Sequence, residues 1–436
     1  MASGRGAVGP MTDVAVTGAN HPAAPGGVAR LLEPLPGPGL RGHLERFGTP
    51  PRKVDLIAEL QASGLRGRGG ASFPTAVKLA AVAGRRRPIV VANGTEGEPL
   101  SAKDKILLVS ATHLVLDGVA LAAQAVGATD AVVCVERTAT RVIAALEGAL
   151  AERAAARLDR VDVRIAGTPS RYVVGEETAL VHWLNGGDAK PTTTPPRPFE
   201  KGVNGRPTLV QNVETLAHMA LIARFGGAWY RTLGTAEDPG TTLVTIGGGV
   251  ARPGVYEVEQ GSGLVAAMRA AGLPGGPPPA VLVGGYFGTW LDPARVAEAP
   301  VSVAGLRQLG ASLGCGVVWA LPADVCGLAE TARVARWFAD QSAQQCGPCL
   351  NGLPAIAAAL DAVVAGKRSA DALAHLQRWA GLVVGRGACH HPEGASRLVQ
   401  SAVEVFGEEI ARHARRGPCK ASSAHVLPVP AGGSWR

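Results

Sequence analysis

The sequence predicts an α/β domain with a parallel sheet, followed by a small α+β domain and a helical bundle. Buried strands alternate with helices over residues 29–238, short strands surround one helix over 239–325, and helical patterns alone fill 326–415. A chain of 436 residues also exceeds what one hydrophobic core usually organises. We expect the flanking segments, 1–28 and 416–436, to be disordered.

Three strands and the helices between them define the first domain. The apolar, β-branched runs at 87–94, 130–136 and 161–167 predict parallel strands. Helices are predicted between them, at 105–127 and 138–156. This alternation is the pattern of a parallel sheet covered by helices.

The rest of the chain changes character twice. A Pro- and Thr-rich extended stretch at 188–208 precedes a predicted helix over 212–233. Short strands then surround one helix, which indicates the small α+β domain. From residue 326 onward four helical patterns follow one another, and this succession is typical of a small bundle.

Charge and composition argue against several classes of function. The net charge is +8, but no basic run is interleaved with aromatic residues, so the sequence does not indicate a nucleic-acid partner. No run of about 18 apolar residues is present, and the N-terminus lacks the apolar core of a signal peptide. The 7 cysteines, an odd number in a long chain, do not suggest a secreted disulfide scaffold. We expect a cytoplasmic protein without membrane insertion.

A glycine-rich loop, GLRGRGGASFP, opens into a helix at residues 64–74. Glycines allow backbone N–H groups to approach a phosphate, and the start of the following helix adds the positive end of its dipole. Arg66, Arg68 and Lys78 add full charges. The pattern indicates an anion site, with a plain loop as the alternative.

The segment NGTEGEP follows the first predicted strand, at 93–99. Ligands of open α/β sheets bind at the carboxyl ends of their strands. Glu96 and Glu98 could therefore accept hydrogen bonds from ribose hydroxyls. A solvated turn is the alternative.

Two further segments place polar residues at helix starts. YVVGEETAL puts Glu176 and Glu177 where a helix dipole stabilises them, and Tyr172 before them could stack on a flat ring. QNVETLA suits hydrogen bonding to a phosphate or a heterocycle, through Gln211, Asn212 and Thr215. For both segments, helix capping alone is the alternative.

The segment QSAQQCGPCLNG contains a CxxC at Cys346 and Cys349. A thioredoxin-like dithiol needs a preceding strand, whereas here a helix precedes it. Zinc would need a second ligand pair, which Cys389-His390-His391 could supply. Iron–sulfur ligation uses thiolates on helix ends and loops with a remote last cysteine, a role that Cys389 could fill. Two buried thiols at a helix turn are a further alternative.

Taken together and in this order, seven segments resemble the NADH-binding flavoprotein subunit of respiratory complex I. The family includes relatives in bacterial hydrogenases and formate dehydrogenases. The segments are GLRGRGGASFPTAVK, NGTEGEPLSAKD, YVVGEETAL, QNVETLA, PGVYEVEQG, CGPCLNGLP and the late Cys389. The resemblance covers residues 50–412. It implies a Rossmann-like FMN domain, a ubiquitin-like β-grasp domain and a four-helix bundle that holds a [4Fe-4S] cluster.

The resemblance also implies chemistry and partners. FMN would accept a hydride from NADH and pass single electrons to the cluster. A ferredoxin-like or thioredoxin-like iron–sulfur protein would be the partner.

The resemblance assigns roles residue by residue. It implies that the FMN phosphate is held by Gly67, Arg68, Gly69, Gly70 and Lys78. It implies that the flavin is lined by Asn93, Gly175, Glu176, Gln211, Asn212 and Thr215. On the nicotinamide and ribose side it implies Phe73, Glu98, Glu177 and Tyr172. The implied cluster ligands are Cys346, Cys349 and Cys389.

The sequence departs from the family pattern in both sites. The family carries C-x-x-C-x-x-C, and its first cysteine falls at Ala343, so three thiolates remain. Cys326 is a poor substitute because a helix places it on the order of 20 Å away. Other departures are Ser72, Thr95, Ala81 and Arg197. They raise two alternatives, an FMN protein with a non-nicotinamide donor and a cofactor-poor scaffold subunit.

Overall fold

The computed structural model describes most of the chain, namely residues 29–32, 34, 36–37, 39–366 and 369–436. The predicted disordered N-terminus, 1–28, lies outside the described residues. Within them the chain has a mixed α/β fold, with one parallel sheet, one mixed sheet and a C-terminal group of helices.

The parallel sheet consists of β1 Ile89–Gly94, β2 Asp130–Glu136, β3 Asp162–Thr168 and β4 Thr208–Asn212. Its order is β3-β2-β1-β4, and every neighbouring pair is parallel. The chain moves from β1 to β3 in one direction, and β4 is added on the other side of β1. The strand order therefore reverses between β1 and β4. Such a reversal leaves a crevice at the carboxyl ends of the two strands, which we call the β1–β4 crevice.

Helices surround this sheet. They are α1 Gly39–Phe47, α2 Leu56–Ser63, α3 Thr75–Ala80, α4 Lys103–Ser110, α5 Thr112–Val126, α6 Thr140–Ala155, α7 Glu177–Leu184, α8 Val213–Phe225 and α9 Gly227–Tyr230. Helices α5 and α8 supply much of the core, with Leu114, Val119, Leu216 and Met219 fully buried. Since α8 follows β4 directly, its first turn lies at the crevice.

The strands predicted in this domain are confirmed to within two residues, but three other elements differ. The predicted helix over 212–233 is interrupted at Gly226, which separates α8 from α9. The predicted helix over 105–127 is two helices, because the chain bends by 95° between α4 and α5. Strand β4 was not predicted. It is short, it follows Pro207, and its polar Gln211 and Asn212 hide the apolar pattern of a strand.

The second sheet is mixed and consists of β5 Thr241–Gly248, β6 Gly254–Glu259, β7 Val281–Val283, β8 Thr289–Leu291 and β9 Val317–Ala320. Its order is β6-β5-β9-β7-β8, with only the β5–β9 pair parallel among the described strands. The accompanying helices are α10 Leu264–Ala270, α11 Pro293–Glu298 and α12 Val303–Gln308. Leu264 and Met268 of α10 pack with Val244 and Val318 of the sheet.

The C-terminal helices are α13 Gly327–Gln341, α14 Leu353–Val364, α15 Ser369–Val383, α16 His391–Val405 and α17 Gly407–Arg416. A π-helical turn, Pro348–Gly352, leads into α14. Leu328, Phe338, Leu353 and Leu398 are buried in their common core. The last predicted helix is divided in two at Phe406, which lies against Gly327.

The predicted disordered tail, 416–436, differs from the structure. The tail packs against the C-terminal helices up to Pro430, with Leu427 buried, and its last residues contact the first domain through Arg171, Asp188 and Ala189. Glu330 Oε2 accepts from the N–H groups of Val426 and Leu427, and Trp337 Nε1 donates to Pro430 O at 2.7 Å. The tail lacks helical or strand periodicity, so its contacts could not be predicted from local pattern.

Among the described residues, no single helix has the length and apolar composition to cross a membrane. Helices α4 and α5 satisfy those two criteria only as a bent pair.

Candidate functional site

Two asparagines lie side by side at the β1–β4 crevice. Asn93 of β1 is opposite Asn212 of β4 in the sheet register. Asn93 Nδ2 donates to Gly175 O at 2.8 Å, and Asn93 Oδ1 accepts from Thr95 N. Asn212 Oδ1 accepts from Glu214 N and caps α8. The crevice therefore joins three of the predicted segments at one polar edge.

The glycine-rich loop is held against this edge by backbone hydrogen bonds. Gly67 N donates to Phe73 O at 2.8 Å, which closes the loop on itself. Arg68 N donates to Thr215 Oγ1 at 2.9 Å, which ties the loop to the first turn of α8. The structure thus brings the loop and the QNVETLA segment together.

Two glycines are required by the path of this loop. A Cβ at Gly69 would lie 3.3 Å from Asn212 Cβ, so a larger side chain would separate the loop from β4. Gly70 has φ +106°, a backbone conformation that side chains disfavour. The close approach leaves backbone of the loop facing the crevice, as the predicted phosphate cradle needs.

The guanidinium of Arg68 does not face a phosphate site, and this corrects the role expected for its side chain. Arg68 is 5% exposed. Its Nη2 donates to Tyr230 Oη at 2.9 Å and to Thr241 O at 3.1 Å, and its Nε lies 3.9 Å from Glu214 Oε1. The side chain supports the loop from the protein interior.

A buried ion-pair network lies under the loop, and sequence reasoning did not nominate it. Lys103 Nζ lies 2.7 Å from Asp104 Oδ1 and 2.9 Å from Glu214 Oε2. Burial opposes the charge of Lys103, but Asp104 and Glu214 outweigh it and raise the lysine's pKa. Burial likewise opposes the charge of Glu214, yet Lys103 and His218 lower its pKa to about 2. Lys103 and Asp104 are the last two residues of the segment NGTEGEPLSAKD, and that position was the available signal.

Glu96 has a structural role in this conformation. Its Oε1 accepts from Ser101 Oγ and Asp104 N, and its Oε2 accepts from Lys105 N. Because both oxygens bind the start of α4, the expected contact of Glu96 with a ribose is not supported.

Glu98 is buried and lies at the junction with the C-terminal helices. Its Oε2 accepts from Tyr172 Oη at 3.0 Å and from Tyr286 N at 2.8 Å, while its Oε1 accepts from Leu100 N. Burial raises the pKa of Glu98 to about 7, although these hydrogen bonds oppose the shift. The structure thus brings together two residues, Glu98 and Tyr172, that were predicted for the same side of the site.

Tyr172 belongs to an aromatic cluster. Its ring makes edge contacts with Phe287 and Trp337, at centroid distances of 4.7 and 5.1 Å. Phe338 and His391 pack on it at 5.4 and 5.9 Å. The cluster connects the α/β part of the chain to α13 and α16.

The two glutamates before α7 act differently. Glu176 caps the helix, since its carboxylate accepts from the N–H groups of Thr178 and Ala179. Glu177 Oε2 lies 2.9 Å from Lys78 Nζ, and both side chains are about one third exposed, at 29% and 32%. The predicted phosphate lysine and the predicted ring-side glutamate are therefore paired with each other.

Several buried polar side-chain atoms near the crevice have no hydrogen-bond partner among the described residues. They include Gln211 Nε2, in β4, and Thr75 Oγ1, at the first position of α3. An unpartnered buried donor costs about 1–3 kcal/mol, so a ligand that accepts from Gln211 would remove that cost. Phe73, in the glycine-rich loop, is 51% exposed and remains accessible.

The three predicted cluster cysteines gather between α13, the π-helical turn and α16. Burial raises the pKa of Cys349 to about 12, and the thiols of Cys346 and Cys389 contribute to that shift. Burial raises the pKa of Cys389 to about 11, with Glu176 as a further contributor. Such contributions require proximity. The thiols of Cys346 and Cys389 thus influence the pKa of Cys349, and Glu176 influences that of Cys389.

The alternative of zinc with Cys389-His390-His391 is not supported at His391. Its Nε2 lies 2.8 Å from Phe338 O, and its ring packs in the aromatic cluster. Burial lowers the pKa of His391 to about 4, so it is a neutral core residue.

Comparison with known proteins agrees with this geometry. The family described as "Nuo51 FMN-binding domain" matches residues 60–221, and the "NADH-ubiquinone oxidoreductase-F iron-sulfur binding region" matches 329–413. The second NADH-quinone oxidoreductase F subunit of Rhizobium meliloti is 31% identical over 401 residues, which cover 88% of this chain and 94% of the relative. The chain belongs to the family of NADH-quinone oxidoreductase F subunits.

Other members and a solved structure show the same relationship. The F subunit of the Streptomyces coelicolor NADH-quinone oxidoreductase is 31% identical over 375 residues, covering 82% of this chain and 83% of the relative. A chain of an NAD+-reducing [NiFe]-hydrogenase in the air-oxidized state has a TM-score of 0.76 at 32% identity. The match covers 87% of this chain but spans 64% of the hydrogenase chain.

The departures from the family pattern lie in defined places. Ala343, which stands where the family has its first cluster cysteine, is buried, with 5% of its surface exposed. Ala81 directly follows α3 as its C-cap, while Arg197 is exposed and its backbone N–H donates to Glu200 Oε2 at 2.8 Å. Thr95 Oγ1 lies 3.2 Å from Thr168 Oγ1, across the strand ends.

Proposed function

We propose that this chain is a flavin-dependent redox subunit that moves electrons from NADH through FMN to an iron–sulfur cluster. The observation that carries the proposal is the polar crevice at the carboxyl ends of β1 and β4, where Asn93 lies opposite Asn212 and where Arg68 N of the glycine-rich loop donates to Thr215 Oγ1 of α8. The matched iron–sulfur binding region, 329–413, contains the predicted cluster ligands Cys346, Cys349 and Cys389. When bound, FMN accepts a hydride and releases single electrons, which is the chemistry that joins the two sites.

The residues at the β1–β4 crevice fit FMN. The loop would hold the phosphate through the backbone N–H groups of Gly69 and Gly70, which need no free guanidinium, while Gly67 N closes the loop on Phe73 O. Gln211 Nε2 would donate to the flavin, since it is buried without another partner among the described residues. Asn93, Gly175, Glu176, Asn212 and Thr215 would shape the rest of the pocket.

The exposed side of the crevice fits NADH. Phe73 offers an accessible ring for the nicotinamide. Binding of the FMN phosphate to Lys78 would break the ion pair between Lys78 and Glu177. The carboxylate of Glu177 could then accept hydrogen bonds from NADH. Glu98 and Tyr172, which are hydrogen-bonded to each other, would form the wall on the ribose side rather than direct ribose contacts.

Cys346, Cys349 and Cys389 fit a [4Fe-4S] cluster with three protein thiolates. A fourth iron would carry a ligand other than the cysteine that Ala343 replaces. Electrons would leave toward a ferredoxin-like or thioredoxin-like iron–sulfur partner, and the chain would work in the cytoplasm.

The fold supports a division into three functional units. We assign the FMN unit to 29–238, a ubiquitin-like β-grasp unit to 239–325 and a four-helix iron–sulfur unit to 326–415. The order β6-β5-β9-β7-β8 around α10 supports the second assignment. The packing of α13, α14, α15 and α16 supports the third, with α17 as an addition.

An anaerobic titration with NADH tests this function. The purified protein should show flavin and iron–sulfur absorbance, and both should bleach as NADH is added. A colourless protein that fails to bind added FMN would overturn the redox function in favour of a scaffold.

A second candidate is an FMN protein with a different electron donor. Ala81 and Arg197 suggest it, because they stand where the resemblance implies aromatic residues that could flank NADH, although membership of the NADH-quinone oxidoreductase F family favours NADH as donor. Flavin bands that bleach with dithionite but not with NADH would select this candidate.

A further inference from the structure

Three side chains outside the crevice and the cluster cysteines meet where the tail leaves the helical group. Cys326 immediately precedes α13, His413 lies in the last turn of α17, and Cys419 precedes the 3-10 turn Lys420–Ser423. Their ligand atoms, two Sγ and one imidazole nitrogen, all lie within 4.8 Å of one another. Cys326 is far in sequence from the other two, and only the fold brings it to them.

The histidine presents the correct nitrogen. His413 Nδ1 lies 2.8 Å from Val364 O, and a carbonyl only accepts, so Nδ1 carries the proton. Nε2 is then the acceptor nitrogen; it accepts a long hydrogen bond from Cys419 N at 3.3 Å and lies 3.8 Å from Cys326 Sγ. Orientation of a ligating histidine by a backbone carbonyl is the usual arrangement around protein-bound metals.

The burial and the chemical type of the three ligands favour a zinc ion. Cys326 and His413 are fully buried, whereas Cys419 is only partly so. Two thiolates and an imidazole match the ligand preference of zinc. Ser422 Oγ lies 3.3 Å from Cys419 Sγ on the more open side, where a water could complete a tetrahedron.

We propose that Cys326, His413 and Cys419 bind a Zn²⁺ ion that fastens the C-terminal tail to the helical group. Binding converts both thiols to thiolates and releases two protons to solvent, with no change of oxidation state. The site would be separate from the iron–sulfur ligands. Its role would be structural, because it links the start of α13 to the end of α17 and to the tail.

Metal analysis of the full-length holoprotein tests this site. The protein is equilibrated with Zn²⁺, freed of excess metal by gel filtration, and assayed for zinc and iron by mass spectrometry. We expect one zinc per chain in addition to the iron. C419S and H413Q should lose the zinc and retain the iron, while C134A, which removes a buried strand thiol outside this cluster, should retain both.

Two further variants and measurements separate the alternatives. C346S removes a predicted cluster ligand and tests whether the measured zinc is bound by the cluster cysteines. We expect its zinc content to equal that of the unaltered chain. Substitution with Co²⁺ should give thiolate-to-metal absorbance that C419S abolishes. Equal zinc in C419S and the unaltered chain would overturn the proposal. So would a Cys326–Cys419 disulfide peptide in a chain that holds no zinc.

Discussion

Gln211 is the residue whose surroundings most clearly need a ligand. Its Nε2 is buried at the crevice without a partner among the described residues. In Q211M the donor is removed while the volume is nearly kept. The FMN-free protein should become more stable by about 1 kcal/mol, and FMN should bind about tenfold more weakly. Urea unfolding and flavin fluorescence titration measure the two effects. A loss of stability together with unchanged FMN affinity would show that Gln211 faces no flavin.

Glu98 makes stability depend on pH at this same scale. Because its folded pKa is raised to about 7 from an ordinary 4.5, the folded state holds a proton that the unfolded state has released. Stability is therefore greatest below pH 4.5 for this group and falls as pH rises to about 7, by on the order of 3 kcal/mol. E98Q should flatten this dependence.

The matching measurement is urea unfolding of both proteins across that pH range. E98Q also introduces an NH2 group, which cannot accept the hydrogen bonds that the backbone N–H groups of Leu100 and Tyr286 donate to Glu98. At acidic pH the variant should therefore be less stable than the unaltered chain. A parallel pH dependence in the two proteins would exclude Glu98 as its source.

Helices α4 and α8 are joined by buried charges beneath the glycine-rich loop. K103M would leave Asp104 and Glu214 buried without their lysine, which should cost about 3–5 kcal/mol of unfolding free energy. K103M/E214Q should recover part of the loss. The control is K105M, which removes a lysine whose Nζ lies 3.6 Å from Glu136 Oε2; both side chains are about one fifth exposed. K105M should lower the free energy of unfolding by less than about 1 kcal/mol. Equal losses in K103M and K105M would contradict a stabilising role for the buried network.

The sequence predicted three strands of the parallel sheet but not the fourth. The runs at β1, β2 and β3 are apolar and β-branched, so their positions followed from pattern alone. Strand β4 could not be predicted in this way, because its identity depends on pairing with β1, which is distant in sequence. Because the crevice lies between β1 and β4, it could not be predicted without β4. The sequence therefore indicated Asn93 and Asn212 as site residues but did not show that they lie opposite each other.

Side-chain roles were harder to predict than membership of the site. Arg68 belongs to a loop that reaches the crevice, yet its guanidinium turns inward to Tyr230. The direction of a long side chain depends on partners from distant segments, which local sequence does not specify. The three-residue cluster of Cys326, His413 and Cys419 escaped prediction for the same reason.

At the scale of the whole molecule, the tail closes the C-terminal helices. Removing residues 424–436 would expose the pocket of Leu427 and take two backbone donors from Glu330, which is fully buried. We expect a loss of about 3 kcal/mol of unfolding free energy, with L427A giving roughly 2 kcal/mol. Chemical denaturation measures both. Unchanged denaturation midpoints would indicate that the tail does not pack in solution.

The central claim is that Cys389 and its neighbours receive electrons from the crevice. The most direct measurement counts the reducing equivalents that NADH delivers anaerobically to the holoprotein and to C389S, with iron and FMN contents determined in each. We predict that the unaltered chain takes up one electron more per chain than C389S and that both retain FMN. An equal uptake in the two proteins would contradict the claim.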